Sequence, residues 1–501
     1  MNISMINKKP YLILLAVVFA VIILAAAIGE SASIKFVTLW TDILLYVLVI
    51  TVVLFGIQAQ QKEHLRAPWR HVLQRPLAMS ALVVLGFYVA VGLLDSVHFR
   101  EALDQQEGQT EVHYSGEVVS LFDKLVWPLK VQQEKTYSAP FATHLYAKET
   151  IDTPQGQIRD YPRLKYGGAH LADPGEDFWP NIILNTSLSL VYALVIWLAI
   201  SALINWWVSR HYQKSFGKMM EDIAIGRTRV PFRSMLVTFG VICFVITFIV
   251  VFGDQYHILG TDKVGNDVLY LSIKSIRTGL MIGTLTTLIM LPFAVLLGIM
   301  AGHFRGWVDD AIQYLYTTLN SIPSVLLIAA AVLSLQVYMA NNPDMFETVT
   351  ERADLRLLFL CMILGITSWT GLCRLLRGET FKVSQLDYIE AARAFGTGHF
   401  KTMMRHILPN VMHIVLIMVV LDFSGLVLAE AVLSYVGVGV DPITISWGNM
   451  INSARMEMAR DPIVWWSLVA AFVFMFTLVL AANLFSDAVR DAFDPRITRS
   501  K

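Results

Sequence analysis

Residues 467–484 read SLVAAFVFMFTLVLAANL, eighteen positions without a charge. Two further blocks are as apolar: 11–28 (YLILLAVVFAVIILAAAI) and 77–94 (LAMSALVVLGFYVAVGLL). A helix in a soluble core keeps a polar stripe at the 3.6-residue period, and these blocks have none. A bilayer core is crossed by about 20 apolar residues in a helix. Period-two alternation of the kind a barrel strand needs is not seen. The chain therefore reads as a helical integral membrane protein. Its composition agrees: of 501 residues 55% are hydrophobic and 16% charged, with a net charge of zero, against about 25% charged in ordinary soluble domains.

Working outward from these blocks predicts ten spans, at 11–28, 40–57, 77–94, 181–207, 233–252, 278–301, 311–339, 355–373, 411–433 and 463–485. Lys8 and Lys9 before the first block imitate a secretory leader. That block is long enough to span, and no small-residue cleavage site follows it, so it is expected to be a retained anchor. Basic residues cluster in three short loops: Lys62, Arg66, Arg70 and Arg75; Arg210, Lys214, Lys218, Arg227 and Arg229; Arg374, Arg377, Lys382, Arg393, Lys401 and Arg405. The positive-inside rule places these loops in the cytoplasm, and ten spans put both termini there too. The expected location is the inner (cytoplasmic) membrane of a bacterium.

The expected organisation is a three-span extension (1–94), an external domain (95–180), a fourth span with a cytoplasmic linker (181–232), and a six-span core (233–495). The insert mixes aromatics such as Trp127, Tyr137, Tyr146, Tyr161 and Trp179 with charges and the turn signal Lys165-Tyr166-Gly167-Gly168, which reads as a small folded unit. The three cysteines, Cys243, Cys361 and Cys373, lie in or beside spans and read as small buried hydrophobes. Four histidines of the insert, His98, His113, His144 and His170, are widely spaced and read as surface residues. Within the spans Asp42, Asp422 and Glu430 are the clearest charges. Asp42 is expected in a structural hydrogen bond; Asp422 and Glu430 are candidates for a polar translocation path or for interhelical bonds.

The most informative hydrophilic stretch is 388–410, YIEAARAFGTGHFKTMMRHILPN. Ala391, Ala392 and Ala394 give a short helix a smooth surface, and Gly396 and Gly398 end it. Phe400, Met403, Met404 and Ile407 at helical spacing predict an amphipathic second helix, and Pro409 marks entry to the next span. Glu390-Ala391-Ala392, Gly396, His406 and Leu408-Pro409 match, in spacing, the EAA loop of ABC importer permeases. A histidine at 406, where an aliphatic residue is usual, resembles the peptide and nickel branch of that family.

Three other stretches carry the same resemblance. Leu259-Gly260-Thr261-Asp262 with Gly265-Asn266-Asp267-Val268-Leu269 is similar to a segment before the second core helix, with Asn266 in place of the commoner Arg. Residues 433–450 (LSYVGVGVDPITISWGNM) resemble the external loop before the last span, and 483–495 (NLFSDAVRDAFDP) the C-terminal signature. The resemblance spans roughly 233–495 and implies a type I importer core. It further implies a peptide importer, or one for nickel or another small solute, built from this chain, a second homologous permease subunit, two ATPase subunits and an extracytoplasmic substrate-binding protein. The loop residues Glu390, Ala391, Ala392, Gly396, His406, Leu408 and Pro409 would couple the chain to an ATPase subunit. Residues 1–232 lie outside the resemblance.

No enzyme is expected. Gly396 to Thr402 (GTGHFKT) imitates a phosphate-binding loop but lacks the glycine before the lysine and any preceding strand. There is no His-Glu-x-x-His and no paired-cysteine motif. The chain is expected to bind no cofactor, metal or nucleic acid, with ATP and Mg used by the partner ATPase. A gradient-driven transporter would accommodate Asp422 and Glu430 but leaves 388–410 unexplained. A membrane enzyme needs a cluster of catalytic groups in the insert, and none is seen.

Overall fold

In hydrocarbon each backbone N–H and C=O must be paired within its own segment, so each apolar block closes into a helix. The computed structural model describes residues 34–61, 63–103, 113–153, 156–343 and 348–493; the expected 11–28 span lies outside them. Strand β1 (Ile34–Val37) leads into α1 (Trp40–Gln61), α2 (Glu63–Val72) and α3 (Pro76–Asp95). The insert follows: β2 (His98–Glu101), β3 (Val119–Ser120), α4 (Leu121–Leu125), α5 (Trp127–Val131), β4 (Glu149–Thr153) and β5 (Gly156–Asp160). Then come α6 (Phe178–Tyr212), α7 (Phe216–Ile225), α8 (Phe232–Phe252), α9 (Val268–Phe304), α10 (Gly306–Ser321), α11 (Ser324–Asn341), α12 (Val349–Ser368) and α13 (Thr370–Val383). Last are α14 (Asp387–Ala394), α15 (His399–Thr402), a π-helical turn (Met403–Ile407), α16 (Leu408–Tyr435), α17 (Trp447–Glu457) and α18 (Trp466–Phe493).

Among the described residues eight helices are long and apolar enough to cross a membrane, and Trp40–Leu54 is a shorter apolar stretch. They run alternately between two ends: an insert face carrying the described residues between 96 and 177, and a basic face carrying the loops rich in Lys and Arg. β1 pairs antiparallel with β2, Ile34 opposite Glu101 and Val37 opposite His98, and β2 with β3. The chain before α1 and the chain after α3 are thereby stitched together on the insert face. β4 and β5 form a separate antiparallel pair.

Two predicted spans and one predicted loop helix change shape. Residues 311–339 are not one helix: α10 ends at Ser321, Ile322 is extended, and α11 starts beyond Pro323. Proline disfavours the helical conformation at the preceding residue, which breaks the run. The 278–301 span starts ten residues earlier, at Val268, because Asp267 caps it by accepting from the Tyr270 N–H at 3.1 Å. At 37 residues α9 is longer than a bilayer core is thick. The predicted amphipathic helix 400–408 is also different. A π turn at Met403–Ile407 runs straight into α16, where Pro409 lacks the N–H that an α-turn would need. Met403 and Ile407 are buried, while Phe400 is 69% and Met404 38% exposed.

The insert shares its core with the spans. Tyr88 of α3, Phe122, Leu129 and Tyr137 of the insert, Phe252 and Tyr256, and Trp447 and Trp466 belong to one buried cluster. Tyr146 stands edge-on to Trp466, ring centroids 4.8 Å apart, and its hydroxyl donates to Ile463 O at 3.0 Å. Trp466 Nε1 donates to Thr261 O at 2.9 Å. On the basic face α2 packs its Trp69 edge-on against Phe493, and Arg75 pairs with Asp491 at 2.6 Å.

A chain of charges anchors the insert. Glu134 accepts from the N–H groups of Lys165 (2.9 Å), Tyr166 (2.7 Å) and Gly167 (3.2 Å). Its carboxylate lies 3.5 Å from His257 Nε2, and His257 Nδ1 is 2.8 Å from Asp267 Oδ2. Burial opposes both charges, but the imidazole and backbone donors hold Glu134 down at about 2. The two carboxylates raise His257 to about 9 against its own desolvation.

The raised histidine contributes stability that is complete below its unfolded value of 6.5 and is lost as pH rises through about 9. Glu134 contributes stability that is complete above 4.5 and is lost as pH falls toward about 2. Thermal unfolding of the purified chain should therefore be flat between roughly pH 5 and 6.5 and decline toward pH 9, by up to about 3 kcal/mol. His257→Gln should lower the plateau and abolish the alkaline decline; a wild-type curve flat from pH 6 to 9 would refute this account.

Candidate functional site

Helix α14 is short and polar, so little holds it except Ile389, which is fully buried, while Glu390 and Ala391 are exposed and Ala392 half-buried. It ends as a glycine-closed helix should. Gly396 takes φ +79°, its N–H bonds Arg393 O at 2.9 Å, and the Thr397 N–H bonds Ala392 O at 3.1 Å. This paired closure satisfies the last carbonyls and needs a left-handed residue. No atom lies within 4 Å of where a Gly396 Cβ would stand, so backbone conformation alone demands glycine. The expected phosphate-loop look-alike at 396–402 is thus the turn between two helices.

The chain then re-enters the core. Asn410 Nδ2 donates to His406 O (2.6 Å) and to the Tyr388 hydroxyl (3.0 Å), joining α14 to the root of α16. Of the predicted residues, Leu408 and His406 are half-buried and Pro409 is exposed. The exposed crown is Phe395, 90% accessible, with Phe400.

Sequence reasoning missed the loop's second attachment. Arg393 Nη2 lies 3.0 Å from His303 Nδ1, and His303 Nε2 lies 3.1 Å from His399 Nδ1. His303 ends α9, so the loop grips two core helices, α9 and α16. Beside it Arg377 makes a two-point contact with Asp309 at 2.5 and 2.7 Å, pinning α10 to α13. These bonds keep the Asp309 carboxyl below the usual range. Gly298 and Gly302 let α9 and α13 touch: a Cβ at Gly302 would lie 2.7 Å from Arg377 O and 2.6 Å from Thr380 Cβ.

The family described as the inner membrane component of binding-protein-dependent transport systems matches residues 294–499, which include this loop, α16 and α18. The glutathione transport system permease protein GsiD of Pectobacterium atrosepticum is 31% identical over 241 residues, 48% of this chain and 73% of the relative. The di/tripeptide transport system permease protein DppC of Pseudomonas aeruginosa is 32% identical over 245 residues, 49% and 74% of the two chains. The chain belongs to this permease family. The oligopeptide permease OppC of Mycobacterium tuberculosis is 29% identical over 239 residues, 48% of this chain and 76% of the relative.

Within this permease the other predicted polar residues separate. Glu430 is 2% exposed and accepts at Oε1 from Ser434 Oγ (2.7 Å) and Ser446 Oγ (3.1 Å). Ser446 in turn caps α17, so Glu430 holds α17 to α16. Asp422, two helical turns away on α16, is half-buried and makes no such contacts among the described residues. The two are not brought together.

Asp42, expected within a span and in a structural hydrogen bond, meets charges that the sequence reading placed outside the spans or on the surface. Asp42 Oδ1 is 2.6 Å from Arg277 Nη2, and its Oδ2 is 2.8 Å from His98 Nδ1. His98 is therefore a buried partner and not the expected surface residue. Thr41 hydroxyl donates to Asp354, and Lys274 pairs with Asp95 at 3.0 Å and with Asp123. The available signal was the polar run Lys274–Thr278 just before the expected start of α9.

Gly396→Ala should open the loop by about 1 kcal/mol through its φ alone, read as faster hydrogen exchange over 387–402. Gly302→Val should cost about 1–3 kcal/mol by parting α9 from α13, read as a lower unfolding temperature. Equal behaviour of either variant and the wild type would contradict the corresponding geometry.

Proposed function

We propose that this chain is the membrane-spanning subunit of an ATP-driven importer of peptides, and that residues 388–410 dock on a partner ATPase. The supporting observation is the loop itself: an exposed helix–glycine–helix crown, continuous with α16 and bonded to the end of α9. A push on the crown is delivered to two long helices at once. The names of the relatives GsiD, DppC and OppC support the peptide class.

In this reading Glu390, Ala391 and Ala392 form the docking surface and Gly396 sets the turn. His406, Leu408 and Pro409 pass movement to α16, while Arg393 and His399 pass it to α9 through His303. Two ATPase subunits use the ATP and Mg, a second homologous permease completes the pathway, and a substrate-binding protein delivers the peptide on the insert face. Nucleotide-driven closure of the ATPases favours one of two arrangements of the core, and hydrolysis restores the other. The basic face is cytoplasmic, with both termini on that side and ten spans in all. Residues 1–94 and 181–232 carry and orient an external unit of 95–180, ahead of the core at 233–495. Asp422, uncompensated within α16, is the better candidate for the path.

The test is recovery of partners. The tagged chain, purified in mild detergent from its native cell, should bring with it an ATPase subunit, a second permease and ATP hydrolysis. Replacement of Glu390 and Gly396 together should remove the ATPase subunit and at least about tenfold of peptide uptake while leaving membrane levels of the chain unchanged. A chain that purifies alone and supports uptake without ATP hydrolysis would instead be gradient-driven.

A further inference from the structure

α3 is a ruler for the bilayer. Its stretch 76–94 carries no charge and is flanked by Arg75 and Asp95. At about 1.5 Å per residue it is about 28 Å long, close to the roughly 30 Å of a hydrocarbon core. Asp95 therefore stands at the hydrocarbon edge on the insert face. Ser120, which caps α4, donates to Asp95 Oδ1 at 2.6 Å, and Lys274 Nζ lies 3.0 Å from the same oxygen. The two short helices of the insert thus begin at the edge of the lipid. Their inner side is packed: Phe122 of α4 and Leu129 of α5 share a buried cluster with Tyr88 and Val91 of α3 and Phe252 of α8.

Their other side is apolar and uncovered. Leu121 and Leu125 are exposed one turn apart on α4, and Trp127 and Val131 one turn apart on α5, Leu125 at 63% and Trp127 at 40%. Single exposed apolar side chains are ordinary, but two such pairs on consecutive helices make a face. The Trp127 ring lies beside two cations, with the Lys124 and Lys130 nitrogens 4.8 and 5.7 Å from its centre. An apolar body with charged tips that can reach outward suits the headgroup layer. Trp40 and Trp179, in the first turns of α1 and α6, and Trp465, just before α18, are exposed at the same end of the spans. Tryptophans at helix ends mark the level of the headgroups. Both cations are balanced, Lys124 by Glu101 and Lys130 by Glu117 at 2.8 Å, so the face is neutral and has no need of anionic lipid.

We propose that α4 and α5 rest in the lipid headgroup layer of the leaflet on the insert face, with Leu121, Leu125, Trp127 and Val131 turned into it and a zwitterionic lipid surface as their partner. The insert is then seated on the membrane beside α3 and α8. Its charged contacts with α9 at Lys274 lie at the rim of the bilayer. The proposal requires that the chain spans a membrane and is independent of what it transports.

The test uses the purified full-length chain in phosphatidylcholine nanodiscs. Cys243, Cys361 and Cys373 are free and buried, so a nitroxide reagent labels Leu125→Cys or Val131→Cys at one surface site, with the wild-type chain as the blank. Power saturation by oxygen and by a water-soluble nickel chelate, calibrated with spin-labelled lipids, reads the depth of each label. Leu184→Cys, on the exposed side of α6, is the lipid reference. Both labels should lie within about 5–10 Å of the boundary between headgroups and acyl chains, and at the same depth when phosphatidylglycerol replaces phosphatidylcholine. Leu125→Asp should move the Val131→Cys label toward water. Labels as open to the nickel chelate as a nitroxide free in water would overturn the proposal, and so would insertion that appears only with the anionic lipid. Labels that are wet in nanodiscs holding one copy and shielded only in those holding two would also overturn it, assigning the face to a second copy of the chain.

Discussion

The close contact of α9 with α13, where Gly298 and Gly302 admit Cys373, Arg377 and Thr380 to the helix surface, positions the ends of α9. Without a hydrophobic drive between helices in lipid, such backbone-to-backbone approach is what dispersion and packing can use. On the basic face it sets His303 beneath the crown of 387–402. On the insert face the same helix begins at Asp267, inside the charge chain that holds the insert. Gly279 and Gly283 repeat the device higher up, against Trp447 and Phe423. One stiff element therefore touches the candidate coupling loop and the insert.

The first turns of α9 carry Lys274 and Arg277 among Asp42, Asp95, Asp123 and Asp354. Buried ion pairs are weak contributors to stability, since desolvation offsets most of the attraction, but breaking one leaves an isolated charge and costs about 3–5 kcal/mol. Their effect is to specify geometry. α1, α3 and the insert can seat on α9 in one arrangement in which each carboxylate finds its cation. That arrangement joins the part of the chain outside the family match to the part within it.

Apolar content and loop charge were legible because they are local: a bilayer selects eighteen uncharged residues wherever they sit, so 77–94 and 467–484 could be read as helices directly. The glycine turn was legible for the same reason, since Gly396 answers a backbone requirement of its own segment. The break at Pro323 was local too, and the long apolar run on its far side hid it. The π turn at Met403–Ile407 and the exposure of Phe400 were not legible, because helical spacing assumes an unbroken α-turn into Pro409.

The sequence by itself determined that this protein is a helical membrane protein, and that 388–396 is a short helix closed by a glycine turn. Those follow from interactions within about twenty residues, where composition and spacing dictate the outcome. Tertiary structure alone decided that His98 is buried against Asp42, that His303 meets His399, and that His257 stands between Glu134 and Asp267. Each of these joins side chains from separate elements. Their pairing depends on how whole helices pack, and neither propensity nor periodicity carries that information.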